Sequence, residues 1–322
     1  MTYLVGKQRA RSLCLALVLA AGAVCCASPQ HTAPAATPLP EPSLLPKDGR
    51  LTEAAVDLAT RSGSWPKTER AVQSALNRLT SRCMEDHGFS YPATAAAPLP
   101  DPADDAAGED LARRRKNGYG IASDSAAPAV PSSAVDKSYA ELSAEERRGF
   151  DLTLFGPEDR KHVVNIPGGG RFTVPREGCE ADSRRRLAGD VVLWTRITYT
   201  PEAVDNELAN RADSAPEYLS AVRRWRACMT ARGHSYDSPE AAYGSLQDRF
   251  ATTGAASGFR RQEKDVAVAD AECASASRLS SSALQARRRL AATLSKDVRM
   301  SLNELAAYRT ALLARLDDVG ED

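Results

Sequence analysis

Aromatic residues, lysine and histidine are all scarce in this chain. Phe, Trp and Tyr make up 6% of its 322 residues, which limits it to one or two small hydrophobic cores. Neither sign of charge is in excess, since 42 Lys and Arg balance 42 Asp and Glu. Residues 1–27 hold Lys7, Arg9 and Arg11 and no acid, so the remainder carries 39 basic against 42 acidic side chains, a net charge of about −3. That excludes a strongly basic nucleic-acid binder, and no nucleic-acid partner is expected. No apolar run reaches the roughly 18 residues of a spanning helix, which excludes a polytopic helical membrane protein. G-x-S-x-G, H-E-x-x-H, the phosphate loop and the dinucleotide fingerprint are all missing. So is C-x-x-C, and with it the usual redox motif and the close spacing of structural zinc sites. No catalytic residue, metal or cofactor is therefore assigned, although dispersed triads leave no linear motif.

Export is written into the first 27 residues. Lys7, Arg9 and Arg11 form a positive region, Leu13 to Val24 a short apolar stretch, and Cys25, Cys26 and Ala27 a small-residue end. Two readings stay open. Cleavage after Ala27 releases a secreted protein; alternatively Cys25 or Cys26 becomes a lipidated first residue. The lipobox is weak, because Val24 or Cys25 precedes the modified cysteine where Gly or Ala is usual. The Pro-, Ala- and Thr-rich stretch that follows, assigned as a disordered tether over 28–65, suits a surface anchor and cannot pack a core. Any contact with membrane is expected through that N-terminal lipid alone.

The informative feature is an internal repeat. Around Cys83 the chain reads SRCMEDHGFSYP, and around Cys228 it reads RACMTARGHSYDSP. Both fit C-M-x-x-x-G-x-S-Y, pairing Met84 with Met229, Gly88 with Gly233 and Tyr91 with Tyr236. Val72, Leu76, Leu79 and Cys83 share one helical face, as do Leu219, Val222, Trp225 and Met229. Pro66 and Pro216 suit the first turn of these helices, and each glycine suits a left-handed helix stop. The tyrosines are expected to fold back on their helices. A second cysteine follows each copy, Cys179 in REGCEADSRRRL and Cys273 in DAECASASRL.

Four cysteines outside the leader, in an exported chain, imply two disulfides. Of the three possible pairings the repeat favours Cys83–Cys179 and Cys228–Cys273, one staple per copy. Between the copies, residues 92–136 read as loops, with NGYGI at 117–121 ordered by its tyrosine. Ser143 and Glu146 form a capping box. Val163–Ile166 and Arg171–Val174 flank Pro167-Gly-Gly-Gly170 as a β-hairpin, and Thr200-Pro201-Glu202 is expected to start a further helix. From Arg261 to Asp317 there is neither proline nor glycine, which predicts a long helix or two, broken near Ser280–Ser282 and packed on the helix of Cys228. His31 lies in the tether; His87, His162 and His234 read as polar surface groups. Arg113–Lys116 and Arg287–Arg289 read as solvated basic faces, with anionic wall polymer or lipid head groups as the sharper alternative.

The segments RCMEDHGFSYP, NGYG, VPREGCEADSRRRL and RWRACMTARGHSYDSPEAA with VAVADAEC resemble a family of exported cysteine-containing proteins common in actinobacteria, many of them lipoproteins. The match runs over residues 83–273. It implies an extracytoplasmic protein and supplies no catalytic residues; the weak lipobox is a departure from the family.

The expected architecture is mainly α: duplicated disulfide-stapled helical units, one small β-hairpin and a long C-terminal helix. The first unit is placed at 66–190 and the second at 191–322. The expected role is a non-catalytic binding or interaction module of the bacterial cell envelope, with an envelope protein or wall polymer as partner. The alternative is an envelope hydrolase with dispersed residues, which requires His87, His162 or His234 to meet carboxylates in a pocket. The strand–helix alternation of a two-lobed solute-binding lipoprotein is absent.

Overall fold

Several helix starts in this protein are set by side-chain caps, among them Thr52, Ser133, Ser143, Asp190, Ser238 and Ser295. The computed structural model describes residues 37–42, 45–46, 48–106, 108–124, 133–254 and 258–316. The export segment 1–27 and the first part of the tether lie outside them. In chain order the elements are α1 (Glu53–Ala59), α2 (Trp65–Asp86), α3 (Gly108–Asn117), α4 (Ile121–Asp124), α5 (Ala134–Glu141) and α6 (Ala144–Phe155). The hairpin strands β1 (Lys161–Ile166) and β2 (Gly170–Pro175) follow, then α7 (Cys179–Ala188), α8 (Val191–Ala212) and α9 (Pro216–Ala231). The last four helices are α10 (Pro239–Thr253), α11 (Phe259–Ser277), α12 (Leu279–Ala291) and α13 (Lys296–Ala314). Ser143 and Glu146 close their capping box at α6, and Ser133 with Asp136 closes another at α5. The strands pair antiparallel with Val164 opposite Phe172. Val164, Ile166 and Val174 face inward onto Ala181 and Val191, while Phe172 stacks on Tyr199 at 4.4 Å between ring centres.

The two motif helices end alike. Gly88 and Gly233 have φ of +83° and +84°. At the first end the Phe89 amide donates to the Met84 carbonyl and the Gly88 amide to that of Glu85, both at 2.9 Å. At the second, the His234 amide donates to Met229 at 2.9 Å and that of Gly233 to Thr230 at 3.0 Å. This is the paired 6→1 and 5→2 stop that requires a left-handed residue. A Cβ at either glycine would meet nothing within 4 Å, so substitution costs only the backbone conformation. Gly88→Ala and Gly233→Ala are each expected to lose about 1–2 kcal/mol, by equal amounts, as read from chemical denaturation. A much larger loss in one copy would mean that its exit segment is held by other contacts.

Three expectations are corrected. First, residues 37–65 are not all tether. Leu39 is buried, and α1 places Ala55, Leu58 and Ala59 in the core. Thr52 caps this helix, but seven residues are too few to show a period against a proline-rich background. Second, α8 does not begin at Thr200. It starts at Asp190, whose side chain accepts from the Leu193 amide, and runs through Pro201. Trp194, Ile197, Val204 and Leu208 are buried on both sides of the proline, and that burial carries the helix past a residue that lacks a donor. Third, 92–136 holds α3 and α4, and α5 begins at Ala134 inside it.

The boundary at 190/191 also does not divide the packing. One core runs from Leu39 through α1, α2, α7 and α8 to α12 and α13. A second gathers Ala122, Trp225, Met229, Leu246, Phe259 and Cys273 from α4, α9, α10 and α11. The C-terminal stretch is three helices. Arg278, left-handed at φ +56°, separates α11 from α12, two residues before the expected break. α11 and α12 pack on α9, whereas α13 packs on α1 and α8. Leu219, expected on the buried face of α9, is exposed.

Candidate functional site

Each copy of the motif builds a stapled corner. Cys83–Cys179 joins the last turns of α2 to the first residue of α7, and Cys228–Cys273 joins α9 to α11. The Cα separations of 5.5 and 5.6 Å suit a disulfide. Met84 and Met229 are fully buried beside the staples. Tyr91 folds back to pack on Phe150 in the cluster of Cys83 and Met84, and Tyr236 packs in the cluster of Cys228 and Met229. The burial of burial-prone Met and the return of each Tyr make these motif residues structural in both copies.

Two buried acids in α11, seven positions apart, organise the second corner. The Asp270 carboxylate accepts from Trp225 Nε1 at 2.8 Å, Arg114 at 2.5 Å and the Tyr119 hydroxyl at 3.0 Å. Glu263, 1% exposed, accepts the Ile121 amide at 2.7 Å and the Ala122 amide at 3.3 Å. Together they clamp the NGYGI segment, whose tyrosine was legible in the sequence while its acceptors were not. Burial, the Asp270 charge and the hydrogen bond to it hold the Tyr119 hydroxyl far above the ordinary tyrosine range.

The arginines of both basic runs are paired with carboxylates. Arg287 pairs with Asp205, Arg288 with Glu53 and Asp57, and Arg289 with Glu217. Arg113 and Arg114 share Asp110, Arg114 also takes Asp270, and Arg115 takes Glu272. The pairs to Asp270, Glu272, Asp205, Glu53, Asp57 and Glu217 join distant elements, while those to Asp110 lie within α3, and Arg113, Arg115 and Arg289 stay exposed.

Two clefts can be identified among the described residues. One, of about 300 Å³, lies between Leu45, Pro46 and Met300, with Asp297 and Glu304 at its edge. The other, of about 220 Å³, lies between α1, α2 and α13. In it Trp65 has the Arg61 guanidinium 4.4 Å and the Arg309 guanidinium 5.8 Å from its ring centre. Arg309 is buried and pairs with Glu69 at 2.9 Å. His87, His162 and His234 stand at the end of α2, on β1 and after α9, and none lines either cleft. Among the described residues the one trio with ligand atoms close together is Cys83, His87 and Cys179, within 4.8 Å. Its sulfurs are bonded to each other and offer no thiolate to a metal.

No described helix is long and apolar enough to cross a membrane. The lipidation candidates Cys25 and Cys26 lie outside the described residues. Comparison with family models, curated proteins and solved structures finds no match. The internal disulfides are those of an oxidising, extracytoplasmic compartment.

Proposed function

We propose that this protein is a non-catalytic binding or interaction module of the bacterial cell envelope, exported by its leader and then lipid-anchored at Cys25 or Cys26 or released. The observation that carries the reading is the pair of intramolecular disulfides, one in each copy of a repeated motif, in a chain that opens on an export pattern. A protein partner is favoured over an anionic wall polymer, because the arginines of both runs are already paired with carboxylates. The hydrolase alternative needs a histidine at a cleft, and none of the three described histidines lines either of these two.

The test is made in cells that express the native chain. Intact cells are treated with a protease and with an impermeant crosslinker, and the thiols are alkylated before lysis. Digestion from outside, no free thiol on the four motif cysteines, and a specific crosslink to an envelope protein are expected. Protection from the protease together with free thiols would place the chain in the cytoplasm and end the proposal. Crosslinking to wall glycan alone would replace the protein partner with a polymer.

A further inference from the structure

The two staples share a motif but not a chemical setting. A ring nitrogen of His87 lies within 4.8 Å of both sulfurs of Cys83–Cys179, and His87 itself is exposed at the end of α2. At the same motif position the second copy has Arg232, which is ion-paired to Glu272. The backbone adds a second difference. Cys179 is the first residue of α7, behind Gly178, which provides no side-chain cap. The acids of that turn are held by neighbouring arginines, Glu180 by Arg184 and Asp182 by Arg185. A thiolate at Cys179 would therefore sit against helix N–H groups, a setting that stabilises it. In the other staple Cys228 lies near the end of α9 and Cys273 near the end of α11, where carbonyl groups disfavour a thiolate.

We propose that Cys83–Cys179 is a thiol–disulfide exchange site, opened by an external dithiol while the protein stays folded, and that Cys228–Cys273 is a permanent structural bond. Cys179 is 1% exposed and Cys83 is half-buried, so the incoming thiolate attacks Cys83 Sγ. The Cys83–Cys179 bond breaks and its electron pair goes to Cys179 Sγ, at the N-terminus of α7 and beside the His87 imidazole, which supplies a proton or a favourable charge. The second thiolate of the dithiol then attacks the dithiol's first sulfur in the mixed disulfide, closing the reductant's own disulfide and releasing Cys83 Sγ as the leaving thiolate. The dithiol loses two electrons and two protons, and the two cysteines gain them. A leaving sulfur with a more stable thiolate departs faster.

The experiment treats the folded, oxidised protein with dithiothreitol, quenches it with an alkylating agent at intervals and maps the peptides by mass. Cys83 and Cys179 are expected to become alkylated about tenfold or more before Cys228 and Cys273. His87→Gln, at an exposed position, should slow the first pair about three- to tenfold, with the second pair and the melting temperature unchanged. His87→Arg separates charge from proton donation: a rate near wild type assigns the effect to charge, a rate near that of His87→Gln to the proton. Simultaneous opening of the two staples, earlier opening of Cys228–Cys273, resistance of both until unfolding, or a wild-type rate for His87→Gln would overturn the proposal.

Discussion

Asp270→Ala is expected to destabilise the protein by about 3–5 kcal/mol, the usual loss when one partner of a buried charged pair is removed. The carboxylate is 4% exposed and serves three donors, Trp225 Nε1, Arg114 and the Tyr119 hydroxyl. Without it the indole N–H and the phenol lose their acceptor under cover, and the Arg114 guanidinium keeps only Asp110 and the Ala267 carbonyl. Asp270→Asn keeps the shape and one acceptor oxygen, and should lose less. Guanidinium denaturation measures both, and a loss below about 1 kcal/mol for Asp270→Ala would show that water replaces the carboxylate at no great cost. The same variant carries a spectral signature. Tyr119 is held protonated by burial and by Asp270. Its folded value lies above its unfolded one, so its contribution is whole below about pH 10 and is lost as pH rises beyond that. Ionisation followed at 295 nm should begin at lower pH in Asp270→Ala than in wild type.

Removing the longer staple is expected to have an effect of similar size. Cys83 and Cys179 are 96 residues apart, and chain-entropy arithmetic gives about 4.7 kcal/mol for closing such a loop in the unfolded state. Cys83→Ala with Cys179→Ala is the appropriate pair, because a serine at the 1% exposed position of Cys179 would bury an extra hydroxyl. The separation of 45 residues for Cys228–Cys273 gives about 4.0 kcal/mol by the same arithmetic. Denaturation of the two double variants should rank them in that order, about half a kcal/mol or more apart. A loss under about 1 kcal/mol for the first pair would mean that packing of Met84, Phe150 and Leu154 around the staple already restricts the unfolded chain.

What was legible in the sequence was chemistry that is local or repeated. The cysteine pairing, the glycine stops, Pro66 and Pro216 at helix starts, the Ser143–Glu146 box and the hairpin each depend on residues a few positions apart, or on a second copy that says the same thing. What was not legible depends on partners far along the chain. α1 survives in a proline-rich region because the Thr52 amide donates to Asn303 Oδ1 at 2.9 Å, 251 residues away. α8 passes through Pro201 because Trp194 and Leu208 are both in the core. Arg287, Arg288 and Arg289 read as a solvated face because composition cannot distinguish a paired arginine from a free one. Glu263 and Asp270 do not stand out in the sequence, because their donors at Ile121 and Trp225 lie far along the chain and give no local signal of the pairing.

The joining of α1 to α13 has a kinetic consequence. Asn303 also donates to the Arg50 carbonyl, Arg299 to that of Gly49 and Arg315 to that of Pro38. These bonds of the earliest described segment form only after α13 has emerged, so the part of the core that α1 shares with α13 closes late in synthesis. The core around Trp225 and Cys273 draws on residues from Tyr119 to Ala274, all available sooner. The α2 corner need not wait, because α2 packs on α7 and is stapled to it at Cys179, so the late step is the docking of the short α1 segment onto the trailing helix.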